Sequence, residues 1–222
     1  EKIMYYAKST KRVVFLLPTF YEICCRNISL YKLDDLPLHR VSRFLLTAEQ
    51  RVLKRSLDIC VSSVAILLMS PIFVLVSALI KIDSPGPVIY SQKRVGRFGT
   101  IFFVHKFRSM YQNAEANTGP ILACEDDQRI TKFGRLMRAT RMDELPQFFN
   151  VLVGEMSIVG PRPERPVFVE KYIKERPEYA YRLNVRPGIT GPAQIFGKYN
   201  TTAYDKLTYD LIYIQHVSLT ND

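Results

Sequence analysis

Histidine and cysteine are scarce in this 222-residue chain, and acidic residues are outnumbered by basic ones. The three histidines, His39, His105 and His216, lie far apart, and nothing in their spacing supports a triad or a zinc site. Cys24, Cys25, Cys60 and Cys124 form no CxxC pair, and adjacent cysteines seldom bridge each other. The cysteine pattern reads as a reduced, cytosol-facing protein. Neither a GxxxxGK[ST] loop nor a GxGxxG turn occurs, so P-loop and Rossmann chemistry are not indicated. Low-complexity tracts and internal repeats are absent too, and with 47% hydrophobic and 23% charged residues the chain is not disordered in its main state. No basic-then-apolar leader pattern stands at the front, and both ends, Glu1 and Asn221-Asp222, read as cut from something longer.

What is present is positive charge: 31 lysines and arginines against 21 acids, a formal net of +10. Such a balance implies anionic partners, whether nucleic acid, anionic lipid or phosphorylated small molecules. The longest uncharged run, Ile59 to Ile80, spans 22 residues between Asp58 and Lys81. Nothing in a nucleic-acid-binding domain explains that run. By length it is a membrane-helix candidate, but Ser70-Pro71 near its middle removes a backbone donor. Each half would rise only ~15–18 Å as helix, against a hydrocarbon core of ~30 Å. Arg51, Lys54 and Arg55 precede the run, and Lys81, Lys93, Arg94 and Arg97 follow it, which favours both ends on the cytoplasmic face. A helix broken at Ser70-Pro71 that enters and leaves by one leaflet fits these facts; a buried helical hairpin in a soluble core is the alternative.

Three segments follow: 1–50 as the tail of an upstream module, 51–82 as the hairpin, and 83–222 as the main domain. Within the first, Arg12 to Pro18 is a strand candidate, Tyr21 to Arg26 a helix turn and Asp34-Asp35-Leu36-Pro37 a connector. Val88-Ile89-Tyr90 and Ile101 to Val104 predict a β-hairpin around a basic, glycine-containing turn. Helices are predicted near 106–117, 131–140, 144–153, 164–180 and 203–215, with a strand-like piece after the Arg186–Gly191 loop. The class is α+β with a membrane hairpin at its front.

Chemistry concentrates in the middle of the last segment. Arg129, Lys132, Arg135, Arg138 and Arg141 recur every third residue, which on a helix gives a broad basic face, either solvated or phosphate-facing. That row runs into Asp143-Glu144-Leu145-Pro146-Gln147, which reads as a helix start with Asp143 as N-cap and Gly154 as the stop. Two adjacent carboxylates would then share a helix N-terminus with arginines, where phosphate is attracted. A plain cap is the competing reading for Asp143. Two proline-stiffened loops, Gly160 to Pro166 and Arg186 to Gly191, present Arg162 and Arg186, whose guanidinium groups match phosphate oxygens.

From about Lys54 onward the chain resembles the monotopic bacterial sugar transferases that initiate exopolysaccharide, capsule, O-antigen or glycoprotein glycan assembly. The resemblance rests on Lys54-Arg55-Ser56-Leu57-Asp58, the run broken at Ser70-Pro71, Asp83 to Pro87, Lys106 to Met110, Asp143 to Gln147, Gly154 to Ser157, Gly160 to Pro163, Arg186 to Gly191 and Tyr209 to Leu211, in the family's order. It implies a re-entrant membrane helix and a phosphoglycosyl transferase on the cytoplasmic face of the bacterial inner membrane. A sugar phosphate would pass from a UDP-sugar to polyprenyl (undecaprenyl) phosphate. By the same resemblance Asp143 is the covalent nucleophile that expels UMP, and Glu144 helps hold magnesium, Mg2+. Lys106 would serve catalysis; Arg162, Arg186, Arg138, Arg141 and Asp210 would serve the substrates. Membrane lipid is an expected partner, nucleic acid is not, and a homo-oligomer is compatible. Pro192 departs from the bulkier apolar residue usual after the glycine, and residues 1–50 resemble the end of the nucleotide-binding-like domain of longer members.

Overall fold

The structure is a computed structural model that describes residues 28–33, 36–41, 47–112, 114, 127–197, 202–215 and 217. Contacts divide the chain into two units, 1–44 and 45–222. The described part of the first is an antiparallel hairpin, β1 (Ile28–Leu33) and β2 (Leu36–Val41), in register from Ile28↔Val41 to Leu33↔Leu36. Leu36 and Pro37, expected as connector, therefore open a strand; at the end of an edge strand Pro37 need donate no ladder bond. The segments Arg12 to Pro18 and Tyr21 to Arg26, with Cys24, Cys25, Cys124 and His216, lie outside the described residues.

The second unit opens with α1 (Ala48–Asp83), 36 residues long. Its start is a reciprocal capping box: Gln50 N–H donates to Thr47 Oγ1 at 3.2 Å, and Thr47 N–H donates to Gln50 Oε1 at 3.1 Å. The expected break at Ser70-Pro71 is corrected, because α1 continues through Pro71. Proline lacks the N–H that would reach the carbonyl of Leu67 four residues back, and Ser70 Oγ donates to that same oxygen at 2.8 Å. The side chain of Ser70 thus satisfies the acceptor that Pro71 orphans. The helix is long and apolar enough to cross a membrane, and its middle is bare, with Leu67 and Leu68 74% and 72% exposed.

Both halves of α1 nonetheless touch the domain that follows. Arg55 donates to the carbonyls of Val151 and Leu152 at 2.6 and 2.7 Å. Asp58 is fully used, accepting from Ser157 Oγ at 2.8 Å and from Ile158 N–H at 3.1 Å. Farther along, Val76 and Ile80 join Phe107 and Met137 in one buried cluster, and the Phe73 ring packs tilted against Phe107 and edge-on to Phe149.

The domain itself is small sheets wrapped by helices. β3 (Ile89–Val95) and β4 (Ile101–Phe107) form an antiparallel hairpin, Ile89↔Phe107 to Val95↔Ile101. On β4, Phe102 and Val104 face a second core with Val151 and Met156. Strand alternation gives Lys106 the same facing, so its ammonium is directed inward rather than to bulk water. The helix expected near 106–117 is not there among the described residues. Phe107 ends the strand, and buried Arg108 reaches back to the carbonyls of Ser84 and Pro85 at 2.7 and 2.8 Å. Met110 then bridges to Ile130.

α2 (Lys132–Ala139) is capped by Thr131, whose Oγ1 accepts from Gly134 N–H at 2.9 Å. α3 (Gln147–Val153) ends at Gly154, whose φ of 98° is the left-handed stop expected of it. β5 (Ser157–Val159) lies parallel to β6 (Gly188–Thr190), which falls inside the Arg186–Gly191 loop rather than after it. Between them run α4 (Pro166–Glu175) and a 3-10 segment, Pro177–Asn184, split where Pro177 disfavours helix before it. α5 (Pro192–Ile195) and α6 (Ala203–Gln215) close the described chain.

Gly134 is one of the tight points of this packing. A Cβ there would meet Ser109 O at 2.1 Å, and backbone cannot yield as a flexible side chain would. Gly134→Ala is expected to cost at least about 1–3 kcal/mol, seen as a thermal midpoint lower by several degrees.

Candidate active site

Asp143 and Glu144 lie in a single 3-10 turn, Met142–Glu144, entered through Arg141 at a left-handed φ of 59°. Asp143 is therefore not the N-cap of α3; Pro146 occupies that place, without a side-chain cap bond. The tight turn folds both carboxyl groups inward, leaving Asp143 7% and Glu144 8% exposed.

The two acids differ in their company. Glu144 Oε1 accepts from Lys106 Nζ and from an Arg162 terminal N–H, each at 2.7 Å. Burial pushes the Glu144 carboxyl up, but Arg162 and Lys106 outweigh it and hold it at about 2. Asp143 has no hydrogen bond to a described residue in either of its oxygens. Burial raises its carboxyl above the ordinary range, against the pull of Lys106, with Glu144 raising it further. Lys106 is pushed down, chiefly by burial and then by Arg162. One acid is thus a permanent anion locked by two cations, and the other is poorly solvated and uncommitted.

Arg138 is held beside the pair, its Nε donating to Ser109 Oγ at 2.9 Å. Its charge is among those acting on Asp143. The basic row does not act as one face. Arg129 pairs with Asp127 at 2.6 Å, while Lys132, Arg135 and Arg141 are exposed. Arg162 comes from the loop after β5, which hydrogen bonds fasten to the Arg186 loop: Gly160 N–H to Thr190 O and Gly188 N–H to Pro161 O, both 2.9 Å.

Asp210 is 1% exposed on α6, paired with Arg182 at 2.8 Å. Arg182 in turn donates to the carbonyl of Arg162 at 2.9 Å and bonds Tyr179 Oη. Asp210 thus lies behind Arg162 and reaches it through Arg182. Arg186 lines a second cleft, with Arg51, Lys54 and Arg97, into which neither acid projects. Sequence reasoning had no place for Arg182 or Asn150, and it took Ser109 only as part of the Lys106 to Met110 motif. Asn150 ties α3 to β4, accepting from His105 N–H at 3.1 Å and donating to Phe103 O at 2.7 Å. A polar side chain inside the apolar stretch Phe148 to Val153 was the available signal.

Magnesium favours one or two carboxylates plus substrate phosphates over an all-protein cage. No group of three or more acids, histidines or cysteines suited to a metal occurs among the described residues. Two adjacent carboxyls, one of them uncommitted, match the sparser arrangement.

The family model for bacterial sugar transferases matches residues 49–222, which takes in α1 from Glu49 onward and every residue of this cluster. The chain belongs to the bacterial sugar transferase family. Similar to this family member is the Aeromonas hydrophila UDP-N-acetylgalactosamine-undecaprenyl-phosphate N-acetylgalactosaminephosphotransferase, 44% identical over 86% of this chain and 46% of that protein. The UDP-glucose:undecaprenyl-phosphate glucose-1-phosphate transferase of Escherichia coli K12 is 37% identical over 100% of this chain and 49% of its own length. That of Caulobacter vibrioides is 39% identical over 76% of this chain and 65% of its own. This bacterial sugar transferase sequence spans about half the length of the first two relatives.

Proposed function

We propose that this chain carries the catalytic part of an enzyme that moves a sugar-1-phosphate from a UDP-sugar to undecaprenyl phosphate through a phosphosugar held on Asp143. The observation that carries it is the uncommitted, buried Asp143 carboxyl beside a Glu144 already locked by Lys106 and Arg162. In the first step an Asp143 oxygen bonds to the β-phosphorus, the bond from that phosphorus to the bridging oxygen breaks, and UMP leaves with the electron pair. In the second, an oxygen of the lipid phosphate bonds to the same phosphorus and the Asp143 carboxylate is released. Each step is an in-line displacement, so catalysis is positioning and charge neutralisation. Lys106, Arg138 and Arg162 supply fixed positive charge around Asp143. Glu144, with Asp143, would hold magnesium, which neutralises diphosphate charge when bound.

Incubation with a panel of UDP-sugars, Mg2+ and undecaprenyl phosphate, scored for UMP, tests the reaction. UMP release from none of them would overturn it. The first step also requires an ionised Asp143. Because its carboxyl is raised, kcat/KM is expected to fall as pH drops through a midpoint above the ordinary aspartate value of ~3.9. Glu144, held at about 2, stays ionised across that limb. A midpoint at or below ~3.9 would remove Asp143 from the step.

We also infer that α1 enters and leaves by the cytoplasmic leaflet. Supporting it are the exposed apolar middle, the basic flanks, and the anchoring of Arg55 and Asp58 to the same domain that takes Val76 and Ile80. A domain on one side of a bilayer cannot hold both ends of a spanning helix. Cysteines placed just before Arg55 and just after Lys81, on a background without native cysteines such as exposed Cys60, are expected to label from the cytoplasmic side alike. Labelling from opposite faces would show a spanning helix.

A further inference from the structure

The loop that carries Arg162 has few hydrogen-bond donors of its own, because Pro161, Pro163 and Pro166 have no N–H. Its carbonyls are met instead from three other elements. Pro161 O accepts from Gly188 N–H of β6, and Glu164 O from Val95 N–H at the end of β3, both at 2.9 Å. The two carbonyls between them each accept from a guanidinium. Arg162 O accepts from Arg182, and Pro163 O from Arg94 Nη1, again at 2.9 Å. Arg182 is the partner of Asp210, while Arg94 has no part in the reaction above. The sequence alone places Arg94 among the basic residues that follow the apolar run.

Arg94 is a rigid support. Its backbone lies opposite Phe102 in the β3–β4 ladder, and Phe102 is buried in the core with Val151 and Met156. The Arg94 side chain is only 18% exposed. Its Nη2 donates to Gln92 Oε1 at 2.6 Å, two residues back on the same side of the strand. With Nη1 on Pro163 O and 3.5 Å from Glu164 Oε2, the planar fork is fixed from two sides. Burial lowers the Arg94 guanidinium most, Glu164 opposes that, and Arg162 lowers it further. The two arginines are thus near enough to repel, which favours the direction Arg162 takes, toward Glu144 Oε1 at 2.7 Å. The ring of Pro163 fixes its φ near about −65°. Pinning the carbonyls of both Arg162 and Pro163 therefore leaves the Arg162 backbone little freedom.

We propose that Arg94 is a positioning residue that aims Arg162 at Glu144 and at the donor diphosphate, by holding the carbonyl next along the loop. It acts through Arg162, since its own guanidinium bonds neither Asp143 nor Glu144. The inference rests on the proposed reaction for the donor, whereas the hold on Arg162 is a property of the fold.

Arg94→Met keeps the apolar stem and removes every donor. Arg94→Lys keeps the charge and one donor point but cannot span Pro163 O and Gln92 Oε1 as a fork, and it takes the place of Arg94→Met if that protein does not fold. Both are made in the full chain and purified in detergent. The first readout needs no turnover: 15N relaxation of the Arg162 Nε–H, recognised by its loss in Arg162→Lys. Its order parameter is expected to fall from about 0.85 to below about 0.6. The second is a double-mutant cycle on UMP release, with the UDP-sugar that wild type uses. Arg94→Met is expected to lower kcat/KM about tenfold, mainly through a raised KM, but by no more than about twofold when Arg162 is already alanine. A merely structural Arg94 lowers kcat/KM by the same factor in both backgrounds. That equality, or an Arg162 side chain as ordered in the variant as in wild type, overturns the proposal. If wild type releases UMP from no UDP-sugar, the proposed reaction falls and the order parameter alone decides the role of Arg94.

Discussion

Asp143→Asn is expected to abolish UMP release while leaving the fold intact. The amide keeps the size of the side chain, and the wild-type carboxylate has no hydrogen bond to a described residue that the change would break. No capping role is lost either, because Pro146, not Asp143, stands at the start of α3. An amide is a poor nucleophile, and loss of a covalent catalyst lowers turnover by several orders of magnitude. The measurement uses donor radiolabelled in the β-phosphate, with no lipid acceptor. Wild type should release one UMP per active site and keep the label on protein; Asp143→Asn should do neither at an unchanged thermal midpoint. Label kept by Asp143→Asn, or ternary-complex instead of ping-pong kinetics, would leave direct attack by the lipid phosphate as the mechanism. Glu144→Gln separates the two acids. It removes the anion that Lys106 and Arg162 share, leaving two cations facing each other without the charge between them.

Asp210→Ala is expected to show the opposite signature, a large loss of stability. Asp210 and Arg182 are a buried ion pair, and removing one partner strands the other charge, typically at about 3–5 kcal/mol. For a domain of this size that lowers the midpoint by roughly 6–20 °C. Arg182 also holds the Arg162 carbonyl, so surviving folded protein should use donor less well. Replacing both partners, Asp210→Leu with Arg182→Met, should recover much of the midpoint, because a well-packed apolar pair has no stranded charge. An Asp210→Ala protein with an unaltered midpoint and a raised KM for donor would instead place Asp210 against the substrate.

These two carboxylates looked alike in the sequence, since each lies in a short motif that the family shares. Their difference is a matter of depth and partner, which the local sequence does not encode. Asp143 stands in a turn whose neighbours Lys106, Arg138 and Arg162 come from a strand, a helix and a loop. Asp210 lies on the inner side of α6, facing an arginine from a segment 28 positions earlier, as 210 minus 182 gives.

What the sequence determined by itself was the local and the covalent: the long apolar run with basic flanks, the β3–β4 hairpin around a glycine turn, the Thr131- and Gly154-bounded helices, and the adjacency of Asp143 and Glu144. Periodicity, caps and turn residues act over a few positions, so they can be read in order along the chain. The proline in α1 was misread for the same reason in reverse. Its missing donor is visible in one letter, but the serine hydroxyl that covers the orphaned carbonyl acts only once the helix has formed. Where a helix was expected from 106, β4 runs on to Phe107 and buried Arg108 reaches Ser84 and Pro85, more than twenty residues back. Only the tertiary structure decided which cations meet which acids. A salt bridge between Lys106 and Glu144, or a buried pair between Arg182 and Asp210, is set by Coulomb attraction in a desolvated interior. Distance and burial there depend on packing, not on spacing along the chain.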